Sequence, residues 1–165
     1  MVLEAIAKRR SVRRYTSQAL TDEEVHTLLE AAMSAPSAND SRPWEFIVVT
    51  DPALRKQLSQ THQWSTMAAD APVVFVMCGD ERRSIHWVED ASAATENLLI
   101  QAAAMGLGGV WVALYPRQER EQKVRAALGL PDEIRPLCLV PVGHPASPPS
   151  PRTRYEERFV HRDRF

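Results

Sequence analysis

The sequence predicts one domain of class α+β or α/β, in which a small sheet is flanked by helices. Its 165 residues are 44% hydrophobic and 25% charged, which is typical of one globular domain with its own core. Short β-branched or aromatic runs alternate with amphipathic segments of helical period. The chain has no internal repeat, and no apolar run is long enough to cross a bilayer as a helix.

Five helices are predicted from periodicity and end signals. Thr21 and Glu24 form a capping box, Asp51 supplies an N-cap before a first-turn proline, and Gly129 closes the last helix. The central helix carries almost no charge after Glu96, so we expect it to be buried nearly all round. The predicted segments are 2–9, 21–35, one that starts at 51–52, 89–105 and 117–128.

Four strands are predicted, over residues 44–50, 73–78, 110–114 and 137–142. The second is uniformly apolar, as expected of a strand covered on both faces. Pro141 predicts that the fourth lies at an edge or ends there, because proline cannot donate to a sheet ladder. Residues 144–165 have no periodicity. We expect this basic, proline-rich arm either to extend irregularly into solvent or to wrap around another surface.

Charge is distributed unevenly along the chain. The net charge is −1, but residues 1–14 carry +4, residues 151–165 carry +2 and the middle carries −7. The two basic ends are either solvated tails or arms that meet around an anion. A nucleic-acid-binding arm is a third interpretation, which the acidic body disfavours.

Three segments could carry chemistry. Arg9–Tyr15 is either a solvated basic turn or a phosphate-binding segment. Pro36–Pro43 is either an ordinary surface connection or a stiff ligand-binding loop before a strand. Gly106–Gly109 is either a helix C-cap or a place where exposed backbone N–H groups approach a flat ring. It follows a helix and precedes a strand, the reverse of a dinucleotide-binding fingerprint.

Metal and nucleophile chemistry have no support in the sequence. The five histidines form no HxxxH or HExxH pair, and no serine stands in a GxSxG elbow. Cys78 and Cys138 lie far apart in apolar runs, which indicates reduced, buried thiols and a cytoplasmic protein. We therefore predict no metal ligand and no serine-hydrolase nucleophile.

Taken together, four stretches resemble the nitroreductase family of flavoproteins. Arg9–Tyr15 is similar to the family's opening Arg-x-Ser-x-Arg segment, and Ala35–Phe46 to its Pro-Ser-Ala…Gln-Pro-Trp loop. Residues 90–97 with the run to Gly108, and the ending 152–161, match in the same order. The resemblance covers essentially the whole chain, 1–165, as a single domain.

The resemblance implies a three-layer α+β sandwich with a mainly antiparallel sheet flanked by helices. It implies an intertwined homodimer, in which FMN sits at the interface and the arms over 144–165 are exchanged. A basic arm that needs a partner surface and two basic ends that converge on an anion fit this expectation.

Carried over residue by residue, the resemblance implies a cofactor-binding set. Arg9 and Ser11 would bind the phosphate and ribityl chain, with Arg10 adjacent, and Arg13 would lie near the N1/O2 edge of the ring. The remaining predicted residues, from the loop, the glycine run and the arm, are Pro36, Ser37, Ala38, Gly108, Gly109, Arg152 and Arg154.

Two loop residues depart from the family pattern. Asp40 stands where the family usually has Asn, and Arg42 where it usually has Gln. Asp40 could still accept from the flavin N3–H, and Arg42 could still donate to a carbonyl oxygen. A second guanidinium at the pyrimidine edge would raise the flavin potential.

The resemblance implies an FMN-dependent oxidoreductase that uses NADH or NADPH to reduce a nitroaromatic, quinone or similar acceptor. Hydride would pass through flavin N5 in two half-reactions, which predicts ping-pong kinetics. The alternative is a flavin-binding protein without turnover, such as a sensor or cofactor carrier.

Overall fold

A computed structural model describes residues 1–165. Its helices are α1 (Glu4–Lys8), α2 (Asp22–Met33), α3 (Pro52–Ser59), α4 (Trp87–Ala104) and α5 (Gln118–Leu128). Its strands are β1 (Trp44–Val49), β2 (Val73–Asp80), β3 (Gly108–Gly109), β4 (Val112–Ala113) and β5 (Ile134–Gly143). None of the five helices combines the length and the apolar character that crossing a membrane requires.

All strand pairs are antiparallel, in the order β1-β2-β5-β3, and β4 also pairs with β5. Every residue of β2 is buried, because helices cover both faces of the sheet. Phe75 and Met77 pack toward α2 and α4, whereas Val74 and Val76 pack toward α3 and α5. The predicted α+β sandwich with a mainly antiparallel sheet is confirmed.

The position of the last strand corrects the prediction made from Pro141. β5 pairs with β2 on one side and with β3 and β4 on the other, so it is an inner strand. The Pro141 carbonyl accepts from Val110 N at 3.3 Å, which places the missing N–H on that same side. On that side β5 pairs with two short strands, β3 and β4, instead of one continuous strand. The predicted single strand over 110–114 is therefore wrong.

The long helix also differs from its prediction. α4 begins at Trp87, two residues earlier than expected, and eight of its 18 residues are buried. Glu96 and Ala104 are exposed, and Ala93 and Ile100 are half-buried. One face of α4 packs on the sheet, so near-complete burial is wrong for a single chain. Both thiols are free and buried, as predicted.

The two chain ends run alongside the β3–β5 edge of the sheet. Val12 N donates to Gly109 O at 3.0 Å, and Ala146 N donates to Arg14 O at 3.0 Å. Farther out, Arg152 N donates to Ala7 O at 2.9 Å. Every residue from 151 to 165 is exposed. The arm therefore follows the N-terminal segment without being buried against its own chain.

Candidate flavin-binding site

Four predicted arginines meet where the two chain ends run together. Arg9 and Arg10 follow α1, and Arg152 and Arg154 come from the arm; the four line one cavity of about 430 Å³. Arg10 Nε donates to Ser150 O at 3.0 Å, which joins the two ends directly. We call these four residues the arginine cradle. The structure brings together two segments that lie about 140 residues apart in the sequence.

The cradle has an excess of positive charge. Its one carboxylate, Glu96 of α4, lies 3.3 Å from Arg9 Nε. Arg10 Nη2 is buried and has no hydrogen-bond partner. A guanidinium nitrogen that is removed from water without an acceptor is unfavourable unless an anion completes it. The cradle therefore has the donor set for an oxyanion.

Two smaller groups of predicted residues border the cradle. Gly108 and Gly109 line an adjoining cavity of about 530 Å³, which also contacts Arg10. Ser11 and Arg13 line a third cavity of about 210 Å³, again with Arg10. The Arg13 guanidinium makes one weak hydrogen bond, to Ser11 O at 3.4 Å, and forms no salt bridge. Arg10 is thus common to all three cavities.

The two glycines allow close packing around β3. Both are buried, and both line the 530 Å³ cavity, so a backbone contact from them to a flavin ring stays a prediction. A Cβ on Gly108 would lie 2.5 Å from Val12 Cγ2, and one on Gly109 would lie 3.0 Å from Leu99 Cδ2. Only glycine lets the segment with Ser11 approach β3 this closely.

Tyr15 anchors the segment that carries Ser11 and Arg13. Its hydroxyl lies 2.7 Å from Val12 O and 3.1 Å from Pro141 O, so the proton can be shared between two carbonyls. Burial raises the pKa of Tyr15 above its ordinary value, so the phenol stays protonated. Sequence reasoning assigned Tyr15 no role, although its place at the end of the basic motif was a usable signal.

The predicted loop residues lie elsewhere. Pro36, Ser37, Ala38, Asp40 and Arg42 line none of the three cavities. The loop packs on the first turn of α4, because Ala38 N donates to Asp90 Oδ1 at 2.9 Å. Asp90 and Glu96, the α4 residue that lines the cradle cavity, are separated by about 9 Å along the helix. Within one chain the loop and the cradle are separate.

Asp40 and Arg42 are paired with each other. Arg42 Nε and Nη2 donate to the two carboxylate oxygens of Asp40 at 2.7 and 2.6 Å. This hydrogen-bonded guanidinium holds the pKa of Asp40 below its usual range. The pair carries no net charge, so Arg42 acts on its surroundings together with Asp40 rather than as an isolated cation.

Two residues that hold the loop were not among the predicted site residues. Asp90 is 5% exposed, and Arg83 Nη2 donates to Ser41 O at 3.1 Å. Asp90 was recognisable, because a carboxylate at the start of a helix that buries mainly apolar residues calls for specific hydrogen-bond donors. Arg83 gave no local signal, since its contact depends on how β2 turns into α4.

Comparisons with known proteins identify the family of this chain. Residues 6–67 and 61–144 match the model of the Nitroreductase family. A relative from Methanothermobacter thermautotrophicus, provisionally assigned as an NADH dehydrogenase/NAD(P)H nitroreductase, is 36% identical over 99% of this chain and 87% of its own.

Solved structures show the same fold. One from Parabacteroides distasonis, with the same provisional assignment, gives a TM-score of 0.95 at 40% identity, over 98% of this chain and 97% of that one. An FMN-dependent nitroreductase from Clostridium difficile gives 0.93 at 29% identity, over 98% of each chain. The motifs, the antiparallel sandwich and these similarities lead to one conclusion: the chain belongs to the nitroreductase family.

Proposed function

We propose that this protein is an FMN-dependent oxidoreductase, which takes hydride from NADH or NADPH and passes it to a nitroaromatic, quinone or similar acceptor. The observation that carries this proposal is the arginine cradle, in which Arg10 Nη2 is buried without a partner. Family membership and the FMN dependence of the C. difficile relative support the same cofactor.

The cradle fits the FMN phosphate on charge and geometry. A phosphate monoester carries nearly two negative charges at neutral pH, and guanidinium forks bind its oxygens in charge-assisted pairs. Arg9 uses Nε toward Glu96, which leaves its two Nη groups for an anion. Ser11, the residue after Arg10 at the edge of the cradle, would supply a hydroxyl to the phosphate or ribityl chain.

A homodimer would unite the cradle of one protomer with the loop of its partner. In one chain the loop contacts the first turn of α4 at Asp90, whereas the cradle contacts the middle of α4 at Glu96, so the two groups line no common cavity. The arm leaves Tyr155, Phe159 and Val160 exposed, and β1 has an unpaired edge. Exchange of arms between protomers would cover both kinds of surface.

Bound FMN would supply two-electron chemistry at its N5 atom. The chain would bind and orient the flavin, with the Arg13 guanidinium placed toward the electron-rich N1/O2 edge of the ring. Chemistry at N5 would need no nucleophilic side chain, and donor and acceptor would bind at the same site in turn. This arrangement predicts ping-pong kinetics.

The visible spectrum of the purified protein tests the cofactor. A yellow protein that releases FMN in acid, and whose absorbance bleaches when NADH or NADPH is added without oxygen, is expected. Bound flavin that neither nucleotide reduces would favour the alternative, a flavin carrier or sensor without turnover. A colourless protein that is retained on DNA in a salt-dependent way would contradict the proposal outright. Sedimentation of the yellow species should give twice the chain mass.

A further inference from the structure

The Pro36–Arg42 loop is held in an unfavourable backbone conformation. Asn39, Asp40 and Arg42 have φ angles of 53°, 53° and 44°, which lie in the left-handed region. Asn and Asp tolerate this region better than other non-glycine residues, whereas an arginine such as Arg42 is disfavoured there. Three such residues among four persist only if surrounding contacts hold them, and such strain is concentrated at functional sites.

Two residues outside the loop supply those contacts. Asp90 Oδ1 accepts from Ala38 N at 2.9 Å at one end of the loop. At the other end, Arg83 Nη2 donates to Ser41 O at 3.1 Å. Asp90 lies in the first turn of α4, and Arg83 lies in the turn that precedes it. The two ends of the strained segment are therefore held by α4 and by the turn that leads into it.

Burial of the Asp90 carboxylate is unfavourable for folding, which indicates a role beyond packing. It is 5% exposed and forms no salt bridge, and its Oδ2 accepts from Ser84 Oγ at 3.1 Å. A buried carboxylate without a cation loses solvation that two hydrogen bonds and the positive end of a helix only partly offset. An apolar residue at this position could not accept the Ala38 N–H.

We propose that Asp90 and Arg83 are positioning residues that hold the Pro36–Arg42 loop in the shape that receives the flavin ring. This inference rests on the proposed function, because the loop has a ring to contact only if the protein binds FMN. Neither residue touches the cofactor in this account. Asp90 acts through the Ala38 N–H, and Arg83 acts through the Ser41 carbonyl.

Riboflavin separates this role from that of the cradle, because it has the ring of FMN but no phosphate. We measure the dissociation constants of FMN and riboflavin for the parent, Asp90→Ala, Asp90→Asn, Arg83→Met and Glu89→Gln, well below each thermal midpoint. Asp90→Ala should weaken both ligands by the same factor, about tenfold, the loss of one charged hydrogen bond. Arg83→Met, a change at an exposed side chain, should weaken both about threefold.

Two variants act as controls. Asp90→Asn keeps an oxygen that can accept from Ala38 N–H, so it should bind both ligands within about threefold of the parent. Glu89→Gln removes a neighbouring exposed carboxylate of the same helix turn that contacts no loop residue, and it should match the parent. A role limited to stability would lower the thermal midpoint without this shared loss of ring affinity.

The outcomes are distinct. Unchanged binding of both ligands in Asp90→Ala, or an equal loss in Asp90→Asn, would overturn the inference while the parent still binds FMN. If Asp90→Ala does not fold, Arg83→Met and Asp90→Asn decide: parent-like riboflavin binding by Arg83→Met overturns it. A parent that binds no flavin would instead remove the proposed function.

Discussion

The arginine cradle and the Pro36–Arg42 loop are built in opposite ways. The cradle joins residues from the two chain ends, and only a few hydrogen bonds between exposed segments, such as Arg10 Nε to Ser150 O, fix it. The loop is local in sequence, but its backbone is strained and a buried carboxylate anchors it. Charge therefore organises the first region, whereas backbone geometry organises the second. The two should respond differently to substitution.

The largest expected effect is on the cradle. Arg152→Ala should weaken FMN binding about a hundredfold, since charged hydrogen bonds to a phosphate contribute about 1.5–3 kcal/mol each. Riboflavin binding should not change, because riboflavin has no phosphate for Arg152 to hold. Equilibrium titration of both ligands, followed by flavin fluorescence, measures the two constants.

Arg158→Ala is the matched control for that prediction. Arg158 is also an arm arginine, but it pairs with Glu156 at 2.7 Å and lies outside the cradle. It should bind FMN as the parent does. An equal loss in both variants would mean that the general charge of the arm, rather than the cradle, holds the phosphate.

The next largest effect is on the free energy of unfolding, through the close contact between Gly108 and Val12, the residue after Ser11. Gly108→Ala should lower the free energy of unfolding by about 2 kcal/mol, because the new methyl group overlaps Val12. Combining it with Val12→Ala should recover most of that loss, since the smaller side chain makes room. Thermal unfolding of the parent, both single variants and the double variant measures the coupling. Additive losses would show that close packing of Val12 is not why position 108 is glycine.

The sequence predicted the regular helices and strands better than the way in which the strands pair with one another. Periodicity located α2 because that helix buries one face, and the capping box at Thr21 is present as expected. An unbroken apolar run located β2 because that strand is buried on both faces. The split of the third predicted strand could not be seen, because it depends on how β3 and β4 meet the inner strand β5. The prediction that Pro141 marks an edge strand or a strand end was wrong for the same reason. Which neighbouring strand the missing N–H of a proline faces depends on how the sheet is assembled.

The candidate site divides along the same line. The excess of positive charge at both chain ends predicted an anion site, and the structure places Arg9 and Arg152 around one cavity. Their binding of FMN remains a prediction. The position of Asp90 in a largely apolar helix indicated that it needs hydrogen-bond donors, but the identity of its donor, Ala38 N, could not be predicted across 52 residues. Unlike the local capping box at Thr21, such a long-range contact between a side chain and the backbone leaves no pattern in the sequence.

The smallest expected effect is on the flavin potential. Asp40→Asn leaves Arg42 without its counter-charge and should raise the midpoint potential of bound FMN by about 20 mV, the scale of one exposed ion pair. Arg42→Gln leaves Asp40 unpaired and should lower it similarly, while the double variant should stay near the parent. Because Arg42 lowers the pKa of Asp40, the parent pair persists above the ordinary carboxyl pKa and is lost only as the pH falls through the lowered value. Potentiometric titration at pH 7 measures all four proteins, and an Arg42→Gln potential at or above the parent's would show that the pair does not face the ring.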